Sequence, residues 1–303
     1  SGQYNYSNSG NFCQISGYAQ LGNAGDYCQM SGYGNHNNAA TADYTVIGGK
    51  NNEYNAGSHC AIFGEFNSKT GTDIQEGNHC LISGKNNYNN SGDYTTISGS
   101  TNYSNSGAYN QISGKYNALN VGAYCSISGQ YNMSGTGTHC IIGGESNASN
   151  TGDYCLISGR LATGNALDYA RVHGGKANAR LIDLVAQINS SGTGATELLI
   201  GGTGGTRIII PDQSAWACEI HFVAKTATGA HASMQRVHGL LVRDGTATTW
   251  AAGVAETQVN IGTSNATFAV SGDDTNEALK LTVTAASGTV RCVANIKLTQ
   301  VDY

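Results

Sequence analysis

Apolar and polar residues fall into fixed columns over more than half of the chain. The marker is a Gly that closes Ile-Ser-Gly or a variant of it, and it stands at Gly2, Gly17, Gly32, Gly49, Gly64, Gly84, Gly99, Gly114, Gly129, Gly144, Gly159 and Gly174. The step is fifteen residues, except seventeen before Gly49 and twenty before Gly84. Two residues before the marker runs an apolar column from Ile15 and Met30 to Val172. Four before it stand Cys13, Cys28, Cys60, Cys80, Cys125, Cys140 and Cys155, with Thr45, Thr95, Asn110 and Ala170 in the remaining coils. Five before it every residue is aromatic or His: Phe12, Tyr27, Tyr44, His59, His79, Tyr94, Tyr109, Tyr124, His139, Tyr154 and Tyr169. Asn recurs three and six residues after the marker, and a second Gly column closes most repeats.

The stretch from the Tyr/His position to the Ser alternates with period two and is bounded by Gly. It predicts a short strand with Ile and Cys on one face and Tyr/His on the other. The Asn and Gly columns predict corners, because both residues tolerate the left-handed backbone region. One such unit is a turn of a parallel β-solenoid or β-roll, and about eleven coils stacked at the ~4.8 Å strand spacing make each column a ladder. A ladder of aromatic rings along the surface exceeds the apolar patch that isolated soluble chains carry. It therefore predicts self-association, with the stripe hidden between copies of a homotrimer.

The spacing Gly-x-[Tyr/His]-x-x-Ile-[Ser/Gly]-Gly-x-x-Asn resembles the head repeat of YadA-type trimeric autotransporter adhesins, over residues 1–175. The resemblance implies a trimeric parallel β-roll. The period here is fifteen where that family's is usually fourteen, and Ser precedes the marker Gly where that family usually has an aliphatic residue.

Beyond 175 the columns stop, which divides the chain into a repetitive shaft, 1–175, and a second domain, 176–303. The run Arg180–Ile188 fits a strand or a short helix, and the Gly and Ser that follow favour the strand. Trp216, Cys218, Ile220 and Phe222 alternate with Ala217, Glu219, His221 and Val223; Leu279, Leu281 and Val283 alternate with Lys280 and Thr282. The same alternation runs through Val290, Cys292, Ala294, Ile296 and Leu298, with shorter pairs at Val259/Ile261 and Phe268/Val270. Strands of this number between Gly, Asp and Thr turns predict an antiparallel β-sandwich. The segments Thr196–Gly202, Thr206–Pro211, Ser214–Lys225 and Val290–Val301 are similar to C-terminal domains of bacteriophage tail fibres. That resemblance implies a receptor-facing or trimer-capping tip. The fold expected is all-β throughout.

Composition narrows the function classes. There are 42 Gly, one Pro and 17 Tyr, and only 12% of residues are charged. The longest apolar runs fall far short of the ~20 residues of a spanning helix, so no membrane insertion is expected. A net charge of −5 without a basic stripe makes nucleic acid a poor partner. The nine Cys contain no CxxC pair, so zinc-finger spacing is absent, and stacked rungs would aim their Cβ vectors in parallel. Buried free thiols are the expectation, as in proteins assembled in a reducing host cytoplasm. His59, His79 and His139 share a column in which a ring of imidazoles would suit an ion, but packed His is expected, with no metal and no cofactor. Asp26, Asp43, Asp93, Asp153 and Asp168 recur without the GGxGxD setting of calcium rolls and read as solvated corners.

The carboxylates Asp183, Glu197, Glu219, Asp244, Glu256, Asp273, Asp274 and Glu277 are scattered, and no GxSxG, HExxH or P-loop occurs, so no enzyme is expected. The glycines Gly201–Gly205 lack the helix that a phosphate cradle needs. The reading is a virion tail fibre, extracellular in action, that binds a bacterial surface glycan or protein and joins upstream fibre or baseplate proteins. Sugar recognition favours aromatic and planar polar groups, which puts the receptor site at Trp250, Arg243 and Asp244 and at the turn Asp273, Asp274 and Asn276. A bacterial surface-adhesin head and a capsule-depolymerising tailspike are the alternatives. The beginning in mid-repeat fits part of a longer protein. Ice binding would need regular Thr ladders, and only Thr45 and Thr95 share a column.

Overall fold

The computed structural model describes residues 2–36, 38–53, 55–67, 77–174, 179–191, 193–227 and 231–302. They are all-β, a parallel solenoid of about eleven turns followed by an antiparallel sheet. Two compact units divide the chain, Ser1–Thr151 and Gly152–Tyr303.

The coil strands are β1 (Gly2–Gln3), β2 (Gln14–Ile15), β3 (Gly17–Tyr18), β4 (Gln29–Met30), β5 (Val46–Lys50), β6 (Ala61–Glu65) and β7 (Leu81–Lys85). They continue as β8 (Thr96–Ile97), β9 (Gln111–Ile112), β10 (Ser126–Ile127), β11 (Ile141–Ile142), β12 (Leu156–Gly159) and β13 (Arg171–Gly174). Equivalent residues pair in parallel, Ile97 with Ile112 and Ile127 with Ile142. Both long coils keep this register, Met30 against Ile47 and Ile62 against Ile82. The extra residues of the seventeen-residue step turn back at Ala39–Ala42, where the Ala42 amide donates to the Ala39 carbonyl. Those of the twenty-residue step fall between Asn67 and Gly77, and 68–76 lie outside the described residues.

The apolar and Cys columns point inward and are buried, with Cys13 and Ile15 in an early coil partly open. The Asn columns correct the expectation of corners. Asn52, Asn67, Asn87, Asn102, Asn117, Asn132 and Asn147 are buried side chains, and so are Asn38, Asn55, Asn90, Asn105 and Asn120. None of these has a positive φ. The left-handed positions are instead the residues just before the Asn columns, such as Tyr116 and Leu119, and the whole Tyr/His column, at φ 53–59°. A coil this narrow has too few apolar side chains to fill it, and its inner amides need partners. Asn supplies them: Asn102 Nδ2 donates to Asn87 Oδ1 at 3.1 Å, to the Ser98 carbonyl at 2.9 Å and to the Gly114 carbonyl at 3.3 Å. The strands are correspondingly short, and Tyr/His sits on the corner before each strand.

The marker glycines are dictated by close approach. A Cβ on Gly99 would lie 2.1 Å from the Gly114 carbonyl oxygen, and Gly99 has φ +103°. The second Gly column is equally crowded, Gly107 against the Gly122 oxygen at 2.1 Å.

In the second unit β13 pairs in parallel with β12 and antiparallel with β14 (Ala179–Ser191), so pairing changes sense at this strand. The remaining strands are β15 (Ala195–Glu197), β16 (Leu199–Ile200), β17 (Ile208–Ile209), β18 (Ser214–Thr226), β19 (Ala232–Asp244) and β20 (Ala247–Ala255). After them come β21 (Val259–Ile261), β22 (Ala266–Asp273), β23 (Ala278–Ala285) and β24 (Thr289–Asp302). The large sheet runs β13-β14-β24-β18-β19, with β20 and β21 both on the far edge of β19. In the smaller sheet β23 pairs with β22, β15 and β17. The two layers bury Trp216, Ile220, Phe222, Ile296 and Leu298 against Leu281 and Val283, and Phe222 stacks on Phe268 with centroids 4.9 Å apart. The segment that fitted strand or helix is strand, paired along its whole length with β24.

Candidate functional site

Three surfaces carry the side chains that the sequence singled out. The first is the aromatic stripe. Phe12, Tyr27, Tyr44, His59, His79, Tyr94, Tyr109, Tyr124 and His139 form consecutive face-to-face stacks with centroids 4.6–5.1 Å apart and planes within 16°. Tyr154 and Tyr169 stack in the same way in the second unit. The left-handed backbone swings each ring outward, and the coil repeat places the next ring over its face. Stacking of this kind contributes about 0.5–1.5 kcal/mol per pair beyond area burial, which offsets the backbone cost of a bulky residue at positive φ. The tyrosines are about half exposed and Phe12 at the start of the column more so, while each ring between Phe12 and His139 has a neighbour over both of its faces. Most of their apolar faces are therefore covered within one chain, which weakens the need for a partner copy at this stripe. A sugar cannot lie flat on rings already covered by their neighbours.

Beside the stripe, acidic side chains tie coil to coil. Asp26 Oδ1 accepts from the Asn11 amide at 2.6 Å, Asp43 Oδ1 from Asp26 at 2.7 Å, and Asp93 Oδ1 from Asn78 at 2.7 Å. The thiols behave similarly on the inside. Cys60 Sγ donates to the Gly77 carbonyl at 3.0 Å and Cys80 Sγ to that of Gly92 at 3.1 Å. Asn110 Nδ2 reaches the equivalent Gly122 carbonyl at 2.8 Å and Thr95 Oγ1 that of Gly107 at 3.4 Å. A small donor serves this column in every coil but the last, where Ala170 stands, and that explains why Thr and Asn replace Cys there. All nine Cys are free, and burial pushes the Cys218 and Cys292 thiols up to about 12. Among the described residues no three His, Cys, Asp or Glu side chains converge as a metal site would require.

The second surface is the loop cluster at one end of the antiparallel unit. The β19–β20 hairpin and the β22–β23 turn bring Arg243, Trp250, Asp273, Asp274 and Asn276 to one region, with Asp244 exposed at the hairpin tip. Arg243 donates to the Ile210 carbonyl at 2.8 Å and to the Gly245 carbonyl at 3.1 Å, and pairs with Glu277 at 2.5 Å. Asp274 Oδ1 accepts from the Thr248 amide at 2.6 Å. Asp273 accepts from the amides of Thr275 and Asn276, and from Asn276 Nδ2 at 2.9 Å. The Asn276 bond holds the Asp273 carboxyl below its ordinary range, with Lys280 adding to the effect. Trp250 is half-buried, its six-membered ring over Gly239, where a Cβ would lie 2.3 Å from Cζ2. A shallow groove lined by Gln213, Ser214, Ala215, Val242, Arg243 and Asp244 opens beside this cluster.

Sequence reasoning missed Asp212 and Gln213 here, and it named Glu277 only among the scattered carboxylates, not as the partner of Arg243. Asp212 Oδ1 accepts from the amides of Gly245 at 2.8 Å and Gln213 at 2.9 Å, so it joins two loops. The run Pro211-Asp212-Gln213 before a strand was the available signal, since Asp after Pro favours a turn with side chain–backbone bonds.

The third surface is the outer face of the large sheet, where a shallow groove is lined by Tyr169, Arg171, Asp183, Val185, His221 and Lys297, among others. Glu219 Oε1 meets His221 Nε2 at 2.7 Å, and this contact holds the Glu219 carboxyl below its usual range, with Lys297 and His238 contributing. Other carboxylates are also engaged. Glu197 takes Arg207 bidentately at 3.0–3.2 Å, and Glu256 lies 3.3 Å from Arg236.

No known family model matches the chain, and no curated protein matches it. The adhesin-head resemblance therefore rests on the repeat's spacing alone. Among solved structures, the chain is similar to the tailspike protein of Acinetobacter baumannii phage AM24, at 8% identity and a TM-score of 0.27. The match covers 97% of this chain and 56% of that one. A likeness this slight carries no function across.

Proposed function

We propose that this chain is the host-recognition part of a bacteriophage tail fibre, binding a glycan or protein on the bacterial surface without catalysis and acting as an assembly of copies of itself. The observation that carries this reading is the succession of two kinds of β-structure. A solenoid whose coils are tied by amide, carboxylate and thiol ladders is followed by a two-layer antiparallel unit. The sequence of that unit, from Thr196 to Val301, resembles tail-fibre C-terminal domains. Ladders of this kind give stiffness without a large core, which suits a shaft.

Exposed loops on a rigid sheet suit recognition. Within the loop cluster, Arg243 is spent on internal contacts, which leaves Asp244 and Gln213 along the groove, and the exposed part of Trp250 outside it, to face a ligand. The engagement of Glu197, Glu256 and Glu277 by arginines, of Glu219 by His221 and of Asp274 by a backbone amide supports a binding role over general acid–base work.

The test is binding of the purified full chain to bacterial cells of a susceptible strain, comparing Trp250→Ala and Asp244→Ala with Tyr109→Ser and Tyr124→Ser. Loss with the first pair and retention with the second is the expected result. The reverse pattern overturns the assignment of the receptor site. Release of new reducing ends from the strain's purified capsule by the wild-type chain overturns the non-catalytic reading.

A further inference from the structure

The outer face of the large sheet is open along its length, and its side chains form ranks directly opposite one another across the strands. One rank is apolar: Val293 on β24 faces Val223 on β18, which faces Met234 on β19, which faces Val259 on β21. Val223, Met234 and Val259 are 51%, 49% and 58% exposed. A second rank is polar: Arg171, Asp183, Lys297 and Glu219 alternate in charge and His238 follows, in register on β13, β14, β24, β18 and β19. A third begins with Leu181 on β14 and ends with Leu240 on β19, both exposed.

These ranks are their own complement. An axis running along the strands between β24 and β18 sets each strand of one copy against a different strand of the next. Lys297 then meets Glu219, Asp183 meets His238, Val293 meets Val223 and Leu181 meets Leu240. Polar and apolar ranks agree on the same axis, which is the property required of a self-complementary interface. The aromatic stripe lacks this need, because most of its ring faces are covered by one another. We propose that the outer face of the β14-β24-β18-β19 sheet is the surface on which copies of this chain meet, with Lys297 of one copy against Glu219 of the next. The inference deepens the assembly part of the proposed function and is independent of what the chain recognises.

The experiment is a measurement of mass in solution on the full chain and its charge-reversed variants. Wild type is expected at a multiple of the chain mass, and Glu219→Lys and Lys297→Glu are each expected at the mass of one chain. An equimolar mixture of the two variants is expected to reassemble. Only contacts between chains produce that recovery, since the like-charged neighbours within each variant are unchanged by mixing. As a milder second probe, chains carrying Val223→Cys and chains carrying Val293→Cys are mixed and oxidised, and a covalent pair of chains is expected. A wild-type monomer overturns both the assembly and its surface. Assembly of the single variants at wild-type mass, or absence of the covalent pair, overturns the surface and leaves the assembly reading standing. Dissociation by Tyr109→Ser overturns it in favour of the stripe.

Discussion

Asn102 shows what a polar side chain contributes inside a coil. Its backbone amide and side-chain nitrogen both donate to Asn87 Oδ1, and its own Oδ1 accepts from the Asn117 amide at 3.1 Å. Replacing it by Ala leaves buried carbonyls and an amide without partners, at a cost of about 1–3 kcal/mol. Asn102→Asp is expected to cost more, because it removes two donors and adds a buried charge. Denaturant unfolding of both variants checks the order. Asp273 offers the opposite case, a partly exposed carboxylate tuned by its turn. Its folded state titrates below an unfolded Asp, so the stabilisation is complete above the ordinary carboxylate range near ~4 and is lost as pH falls through the lowered value. Asn276→Ala is expected to move the Asp273 titration upward, and NMR titration of the side-chain carboxyl reads the shift. This carboxylate stood out in the sequence as a turn residue; its bond to Asn276 did not, because a turn sequence does not say which side chain closes it.

At the scale of elements, legibility followed the geometry of the repeat. The Ile and Gly columns were readable because one residue type recurs where burial or close approach leaves little choice, and the Cys column because small side chains recur there. The Asn columns were readable as columns and misread as corners. Propensity puts Asn in turns, and nothing in a single coil shows that its amide must serve the coils above and below. Tyr and His at left-handed corners run against propensity altogether; stacking between coils, together with the bonds their amides donate to the coil before, compensates. The glycines separate these causes experimentally. Gly99→Ala adds a methyl against the Gly114 carbonyl at a backbone angle that Ala rarely adopts, and it is expected to lower the melting temperature sharply. Gly194→Ala, which meets nothing within 4 Å and has no positive φ, is expected to be neutral or stabilising by about 0.4–1 kcal/mol. Equal effects would mean that the Gly column is not under steric pressure.

For the molecule as a whole, the sequence conveyed the two kinds of β-structure but not how its candidate site is held. Arg243 and Asp273 are thirty residues apart in the chain, and the hairpin and the turn that carry them meet only because β20 and β22 pack across the two layers. Gly272 marks that approach, since a Cβ there would lie 2.3 Å from the Thr248 carbonyl oxygen. The Arg243–Glu277 pair was equally hidden: Arg243 is near the end of β19 and Glu277 in a turn, and their closeness depends on the finished sandwich. The self-complementary ranks on the outer sheet depend on register between strands distant in sequence, such as β14 and β24, and no local pattern encodes that.

The uniform register of the coils has one last consequence. Because each winding offers its neighbour the same hydrogen-bond template, a copy of residues 100–114 spliced in after Gly114 is expected to fold into place and to raise the melting temperature, as scanning calorimetry would show. A gene with such periodicity can gain or lose whole windings by replication slippage. Reach then becomes a heritable quantity, adjusted in steps of one rung without redesigning whatever lies at either end.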